Sequence, residues 1–148
     1  MCGRRKRGHN KQGLGRSRGG FTSKLHASTD GLGNPLRFIL TSGAAHDIKS
    51  AQELIEGLEA EHVLGDKAYD ADEFVDLIEQ QGAEAVIPSR RNRKQRRKCD
   101  RHRYKERHLV EYFFSKIKQF RRVFTRYDKL GQNYLSFVEL SAILIWLK

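Results

Sequence analysis

The order of apolar segments constrains the fold of this chain more than any other feature. Residues 21–28 alternate apolar and polar side chains, turn residues with Gly, Asn and Pro follow, and residues 36–41 are apolar, which predicts a β-hairpin. The elements predicted after the hairpin are a helix starting at Asp47, a strand at 62–65, a helix around 74–78, a strand at 83–88, and helices at 104–124 and 134–147. Because helices and strands alternate after the hairpin, we predict a mixed α/β sheet flanked by helices.

Positive charge is concentrated in two segments that flank an acidic one. The formal net charge is +11, residues 1–24 carry only basic charges, and residues 47–84 are predominantly acidic. The second basic run, residues 90–107, includes these candidate DNA-binding residues: Arg90, Arg91, Arg93, Arg96 and Arg97. Such clusters suit a polyphosphate partner, because each neutralised phosphate releases counterions. The alternative interpretation is a solvated surface run or tail. Residues 1–20, rich in Gly and Arg, are predicted to form a basic flexible arm.

The predicted helix at 104–124 carries a polar stripe beside a broad apolar face. At about 3.6 residues per turn, Tyr104, Arg107, Glu111 and Lys118 fall within a stripe about 60° wide. We predict that its apolar face is buried: Leu109, Val110, Phe113, Phe114, Ile117, Phe120 and Phe124. Glu111 therefore lies near the border of the core, where the alternative to a functional role is a salt bridge on an amphipathic helix.

Asp66 is the second carboxylate with a candidate role. It follows the apolar strand at 62–65, and active sites of α/β sheets gather at strand ends. The alternative is a simple turn residue. Two carboxylates from separate elements beside strong positive charge suit Mg²⁺ or Mn²⁺, since hard cations prefer oxygen ligands. The chain has no CxxC pair or HExxH sequence, and its six histidines show no metal-binding spacing.

The spacing Tyr104-x2-Arg107-x3-Glu111-x6-Lys118 matches the signature of DDE-type insertion-sequence transposases, which have an RNase H-like fold. Residues 64–70 resemble the family segment that holds the second catalytic aspartate, here Asp66. Residues 15–24, 86–88 and 126–129 also resemble this group. The resemblance covers residues 15–148, nearly the whole chain.

The resemblance implies that Asp66 and Glu111 are catalytic and bind Mg²⁺ or Mn²⁺, which activates water or a 3′-hydroxyl for attack on a phosphodiester. It implies that Tyr104, Arg107 and Lys118 contact DNA or order the site. The implied partners are the DNA of insertion-sequence ends and targets, further copies of the chain assembled on DNA, and the product of an upstream reading frame.

Cys2 and Cys99 lie far apart in basic surroundings, which favours free thiols in a reducing cytoplasm. No apolar run approaches the ~20 residues of a membrane helix. We therefore expect a cytoplasmic, nucleoid-associated protein.

One departure from the family pattern concerns the first catalytic aspartate. In the family it lies on a strand upstream of the segment that corresponds to residues 15–20, and none of residues 1–14 is acidic. Asp30 is predicted to be a turn residue and Asp47 a helix cap, so neither takes its place. We therefore expect residues 21–148 to form an RNase H-like catalytic domain that lacks its first, central strand and is inactive alone. The alternative function is a non-catalytic basic nucleic-acid-binding protein; a ribosome-associated protein would leave the acidic middle unexplained.

Overall fold

Two small β-sheets flanked by helices make up the fold. The computed structural model describes residue 13 and residues 15–17, 20–43 and 47–147. The strands are β1 Gly15–Ser17, β2 Gly20–Thr29, β3 Pro35–Ser42, β4 His62–Leu64 and β5 Glu84–Val86. The α-helices are α1 Asp47–Ile55, α2 Asp72–Gln80, α3 Arg101–Tyr104, α4 His108–Ile117, α5 Arg121–Phe124 and α6 Gly131–Trp146, with 3-10 turns at Lys67–Tyr69 and Lys105–Arg107. The predicted α/β class is confirmed, and the arrangement is consistent with an RNase H-like fold.

The predicted hairpin is formed by β2 and β3, which pair antiparallel with Leu25 opposite Leu40. Its turn is held by Asp30, whose Oδ1 accepts from the backbone N–H groups of Leu32 at 2.9 Å and Asn34 at 2.8 Å. Gly33 has a φ of 86° in this turn, a left-handed conformation that suits glycine. Asp30 is therefore a turn residue, as predicted.

A third strand lies within the segment that was predicted to be a flexible arm. β1 pairs antiparallel with the start of β2, with Gly15 opposite Thr22 and Ser17 opposite Gly20. Residues 1–12, 14, 18 and 19 of the predicted arm lie outside the described residues. The described end of that segment thus belongs to the three-stranded sheet, whose order is β1-β2-β3.

The second sheet belongs to a β4–α2–β5 unit with its own core. β4 and β5 run parallel, and among the described strands they pair only with each other. One hydrophobic cluster packs against this unit: Ala51, Ile55, Phe74, Val75, Ile78, Ala83 and Ile87. Helix α1 connects the cluster to the hairpin, because Arg37 on β3 donates from Nη1 to the carbonyl oxygen of Glu53 in α1 at 2.5 Å and to that of Glu56, just after the helix, at 2.9 Å. The described strands therefore form sheets of three and two strands rather than one of five.

A second core lies between the hairpin and the helices of the C-terminal part. Its buried residues are Phe113, Ile117, Val123, Tyr134, Val138 and Ala142. Leu25 and Leu40 pack against them from the hairpin. Trp146 on α6 donates from Nε1 to the carbonyl oxygen of Pro35 at 3.1 Å, which fixes the end of α6 to the start of β3. None of the described helices is both long and apolar enough to cross a membrane.

The prediction of one continuous helix over residues 104–124 is wrong at residues 118–120, where the helix is interrupted. Helical structure from Arg101 ends at Ile117, and Phe120 has an extended backbone with ψ 107° before α5 begins. In a continuous helix Ile117 and Val123 would point about 120° apart. The break lets both enter the same core, while Phe124, predicted to be buried, is 68% exposed.

Candidate functional site

Asp66 lies in the turn that follows β4 and caps a 3-10 helix. Its Oδ1 accepts from the backbone N–H of Ala68 at 2.6 Å, and the residue is half-buried. The pKa of the neighbouring Tyr69 phenol is raised, first by burial and then by the negative charges of Asp47 and Asp66. The structure thus brings Asp47, predicted only as a helix cap, into the electrostatic surroundings of the Asp66 turn.

Asp47 lies in the first turn of α1 and faces the hairpin. Its Oδ1 accepts from Lys24 Nζ on β2 at 2.9 Å, and both side chains are partly exposed. The ion pair offsets the charge of the carboxylate that, after burial, contributes most to the raised pKa of Tyr69. This arrangement joins the three-stranded sheet to the end of β4 through α1.

The signature residues of the helical stretch at 101–117 make contacts with one another. Arg107 donates from Nη2 to Glu111 Oε1, and its guanidinium lies 5.8 Å from the centre of the Tyr104 ring. The Glu111 side chain is 59% exposed, and Lys118 is exposed at the end of α4. Three of the four signature residues therefore form one connected group, and the salt bridge weighed as the alternative for Glu111 is present.

The oxygen donors needed by a hard cation are present in part. Asp66 and Glu111 each use one carboxylate oxygen in the contacts given above, which leaves Asp66 Oδ2 and Glu111 Oε2 to bind a cation. Within the described ranges, no group of three or more His, Cys, Asp or Glu side chains is placed to hold a metal ion. Asp66 and Glu111 thus offer the type of donor atom that a hard cation prefers, but two carboxylates are fewer ligands than such a site usually has.

The basic segment, which we define as residues 90–97, is held in place by Asp70. The Asp70 side chain has no solvent exposure. Its Oδ2 accepts from the backbone N–H of Arg90 at 2.7 Å, and its Oδ1 accepts from Arg93 Nη1 at 2.9 Å. Arg97 Nε lies 3.6 Å from the same Oδ1. A buried carboxylate of this kind is stable because charged donors replace the lost water.

A second carboxylate, Asp72, pairs with the same two arginines from the surface. Arg93 Nη2 and Arg97 Nη2 both contact Asp72 Oδ1, and the Asp72 side chain is 70% exposed. Hydrogen bonding by Arg93 is the main cause that lowers the pKa of this carboxyl below its usual range. Arg93 and Arg97 therefore bridge a buried and an exposed carboxylate.

The five arginines predicted to bind DNA fall into two groups. Arg90, Arg93 and Arg97 make internal contacts, although Arg90 is itself exposed. Arg91 and Arg96 are exposed, as is Lys94. Sequence reasoning identified the basic run and missed Asp70 as its anchor. The available signal was the opposite charge of residues 70–72 and 90–97, which are far apart along the chain.

Comparison with known proteins gives two matches. Residues 1–146 match the family described as "Transposase DDE domain". A curated protein of Brucella ovis (strain ATCC 25840 / 63/290 / NCTC 10512), named as a candidate transposase for insertion sequence element IS6501, is 40% identical over 130 residues. The matched region covers 86% of this chain and 100% of that protein. No solved structure matches the chain.

Proposed function

This chain belongs to the DDE transposase family, and we propose that it acts on insertion-sequence DNA by binding it and by metal-dependent phosphodiester cleavage and strand transfer. By family it is a transposition enzyme whose substrate is DNA. The observation that carries the proposal is the connected group of Tyr104, Arg107 and Glu111 on one helical stretch. These residue types occur there at the family spacing, together with Asp66 after β4.

We assign the metal-binding role to Asp66 and Glu111. Enzymes of this family generally use divalent metal ions, and bound Mg²⁺ or Mn²⁺ would supply charge neutralisation at the phosphate. Arg107 holds one Glu111 oxygen, and the Ala68 N–H holds one Asp66 oxygen. These contacts fix the orientation of each carboxylate and leave its second oxygen for a cation.

Metal titration of single variants tests this assignment. Asp66→Ala and Glu111→Ala should each weaken Mn²⁺ binding by about tenfold or more, since a ligand counts for at least as much as the groups that orient it. Asp76→Ala, which removes an exposed carboxylate from α2, should leave the affinity unchanged. Calorimetric titration of each folded variant gives the measurement. Equal affinities in all four proteins would exclude this metal site.

DNA binding is assigned to the exposed cations of the basic segment and to the signature stripe. Arg91, Lys94 and Arg96 present their charges to solvent, and Lys118 is exposed at the end of α4. Contacts to phosphates position a duplex and carry no direct sequence information. We therefore expect affinity with little sequence preference from the basic segment itself.

The salt dependence of DNA affinity tests this surface. Replacing Arg91, Lys94 and Arg96 together by Gln should make the negative slope of log affinity against log salt shallower by about 2 to 3, because each phosphate contact contributes about 0.9 to its magnitude. Lys49→Gln, at an exposed site on α1, is the control and should change the slope little. Fluorescence anisotropy with a labelled duplex at several salt concentrations gives the slopes. A wild-type affinity that does not depend on salt would contradict the electrostatic account.

A second candidate function is a non-catalytic nucleic-acid-binding protein. The observation that favours it is that Asp66 and Glu111 both have local structural partners, a helix cap and an ion pair. The metal titration separates the two functions, because only the transposase requires a cation that depends on both carboxylates.

Assembly belongs to the same proposal. We propose that copies of the chain assemble on DNA in the nucleoid, and that the product of an upstream reading frame is a partner. The family supports the DNA substrate. The described residues contain no group of three or more side chains placed to hold a metal ion, which is the reason to look for a further carboxylate from such a partner. Size-exclusion chromatography with light scattering, with and without DNA, measures the assembly state.

A further inference from the structure

We propose that Asp70 is a positioning residue that fixes the basic segment beside the Asp66 turn. A DNA phosphate bound by the segment and the candidate catalytic carboxylate of Asp66 are then held in a fixed position relative to each other. This inference deepens the proposed function and rests on it for the DNA-binding role of the segment. Asp70 has no solvent exposure, so its effect on DNA must act through the arginines that it holds.

Asp70 holds the basic segment at three points along its length. It accepts from the backbone of Arg90 at 2.7 Å and from the Arg93 side chain at 2.9 Å, and it lies 3.6 Å from Arg97 Nε. The Arg93 side chain is only 20% exposed and that of Arg97 24%. The residues between these anchors, Arg91 and Arg96 among them, are exposed. One side of the segment is thus anchored and the other presents charge.

Arg90 connects this anchor to the turn that contains Asp66. Its Nε donates to the carbonyl oxygen of Lys67 at 3.0 Å, and its Nη2 donates to that of Ala68. The N–H of Ala68 in turn donates to Asp66 Oδ1 at 2.6 Å. A chain of hydrogen bonds therefore runs from Asp70 through Arg90 and Ala68 to Asp66. Local side-chain geometry at functional sites is commonly fixed by such supporting contacts.

If Asp70 is neutralised, an account based on net charge predicts tighter DNA binding, whereas the positioning role predicts weaker DNA binding. Asp70→Asn and Asp72→Asn remove the same negative charge and loosen the same two arginines, so an account based on charge alone predicts equally tighter DNA binding for both. Positioning predicts a different result, because only Asp70 also holds the backbone of the segment. Asn has one acceptor oxygen where Asp70 has two, so it cannot give the Arg90 backbone and the Arg93 side chain an acceptor each. The part of the segment that is released must be ordered when DNA binds, which weakens the complex.

The experiment compares wild-type protein, Asp70→Asn and Asp72→Asn by two readouts. Hydrogen exchange should speed up in peptides covering residues 89–98 by about tenfold or more in Asp70→Asn, because hydrogen bonds to a charged group are lost. It should change less in Asp72→Asn, whose carboxylate is 70% exposed. A labelled DNA duplex should bind Asp70→Asn about three- to tenfold more weakly than wild-type protein, and Asp72→Asn at least as tightly as wild-type protein. Thermal melting confirms that each variant is folded.

The outcomes separate this inference from the proposed function. Unchanged exchange in Asp70→Asn, or DNA affinity equal to that of Asp72→Asn, would overturn the positioning role even if wild-type protein binds DNA. A wild-type chain without DNA affinity would overturn the proposed function, and the exchange data would still show whether Asp70 holds the segment. If Asp70→Asn does not fold, Arg93→Gln replaces it, with Arg91→Gln as the control of equal charge. Faster exchange in Arg93→Gln alone supports the inference, and equal exchange in the two contradicts it.

Discussion

His26 is a histidine whose burial disfavours the protonated form. It is 7% exposed, its Nε2 lies 2.8 Å from Thr41 Oγ1, and burial lowers its pKa below the ordinary value of 6.5. The negative charge of Asp47 opposes this shift and the positive charge of Lys24 reinforces it. The unfolded chain therefore binds a proton at this residue at a higher pH than the folded chain does.

The consequence is a loss of stability in weak acid. Because the folded pKa is lowered, the contribution of His26 is fully present above the unfolded value and is lost as pH falls from there through the folded pKa. We predict that the free energy of unfolding decreases as the pH falls through and below 6.5, and that His26→Gln makes this decrease smaller. Urea titrations at several pH values measure it. A wild-type profile as flat as that of the variant would show that His26 is not responsible.

Residues whose role is set by near neighbours could be predicted from the sequence. Asp30 was predicted as a turn residue because Asx turns involve only the next few residues, and the structure confirms it. The position of Asp66 in the turn that follows a strand was predictable for the same reason. The burial of Asp70 against Arg93 was not, because the partners lie 23 residues apart and no local pattern joins them. The metal-binding roles of Asp66 and Glu111 stay predictions.

At the scale of elements, helix α4 ends where the sequence shows no stop signal. Residues 118–120 are Lys-Gln-Phe, without the Gly or Pro that would indicate a break. The end is instead explained by tertiary packing, since Ile117 and Val123 both enter the core between the hairpin and α6. Strands β2 to β5 and helices α1, α2 and α6 were predicted because their apolar periodicity is carried by each element alone.

Two phenylalanines on either side of this break test it. Phe113 is 1% exposed and Phe124 is 68% exposed. Phe113→Ala should lower the free energy of unfolding by about 3–5 kcal/mol, because it removes a buried ring from the second core. Phe124→Ala should stay within about 0.5 kcal/mol of wild type. Denaturant titrations of both variants give the comparison. Similar losses would favour the single long helix that the sequence predicted.

At the scale of the whole molecule, the number of carboxylates that can bind metal ions decides whether the chain can cleave DNA. Asp66 and Glu111 have one uncommitted oxygen each, and a pair of cations about 3.5–4 Å apart usually needs more ligands than two carboxylates supply. We predict that the purified chain binds DNA and does not cleave it. Fusing in frame an upstream segment with an aspartate-bearing strand should produce Mg²⁺-dependent cleavage at insertion-sequence ends.

The same cleavage assay shows whether a further carboxylate of this chain binds the metal beside Asp66 and Glu111. In the fused protein Glu111→Gln should abolish cleavage and leave DNA affinity nearly unchanged, because the carboxylate is exposed and the basic surface is kept. Cleavage by the 148-residue chain alone that is lost in Glu111→Gln would mean that another carboxylate supplies the first ligand. Asp47, whose charge raises the pKa of Tyr69 together with that of Asp66, is then the first candidate to replace, with Asp30 as the control.

The separation of the two cores also has a consequence for the chain during its synthesis. The core around α2 is built from residues 51–87 and can close soon after they leave the ribosome. The hairpin must wait, because the bond from Trp146 to Pro35 joins residues 111 positions apart. At the usual rates of translation this interval lasts roughly 5 to 20 seconds. During that time α6 does not yet cover the apolar face of β2 and β3, and for most of it α4 has not been made either. The nascent hairpin, rather than the finished protein, is therefore the stage most open to aggregation.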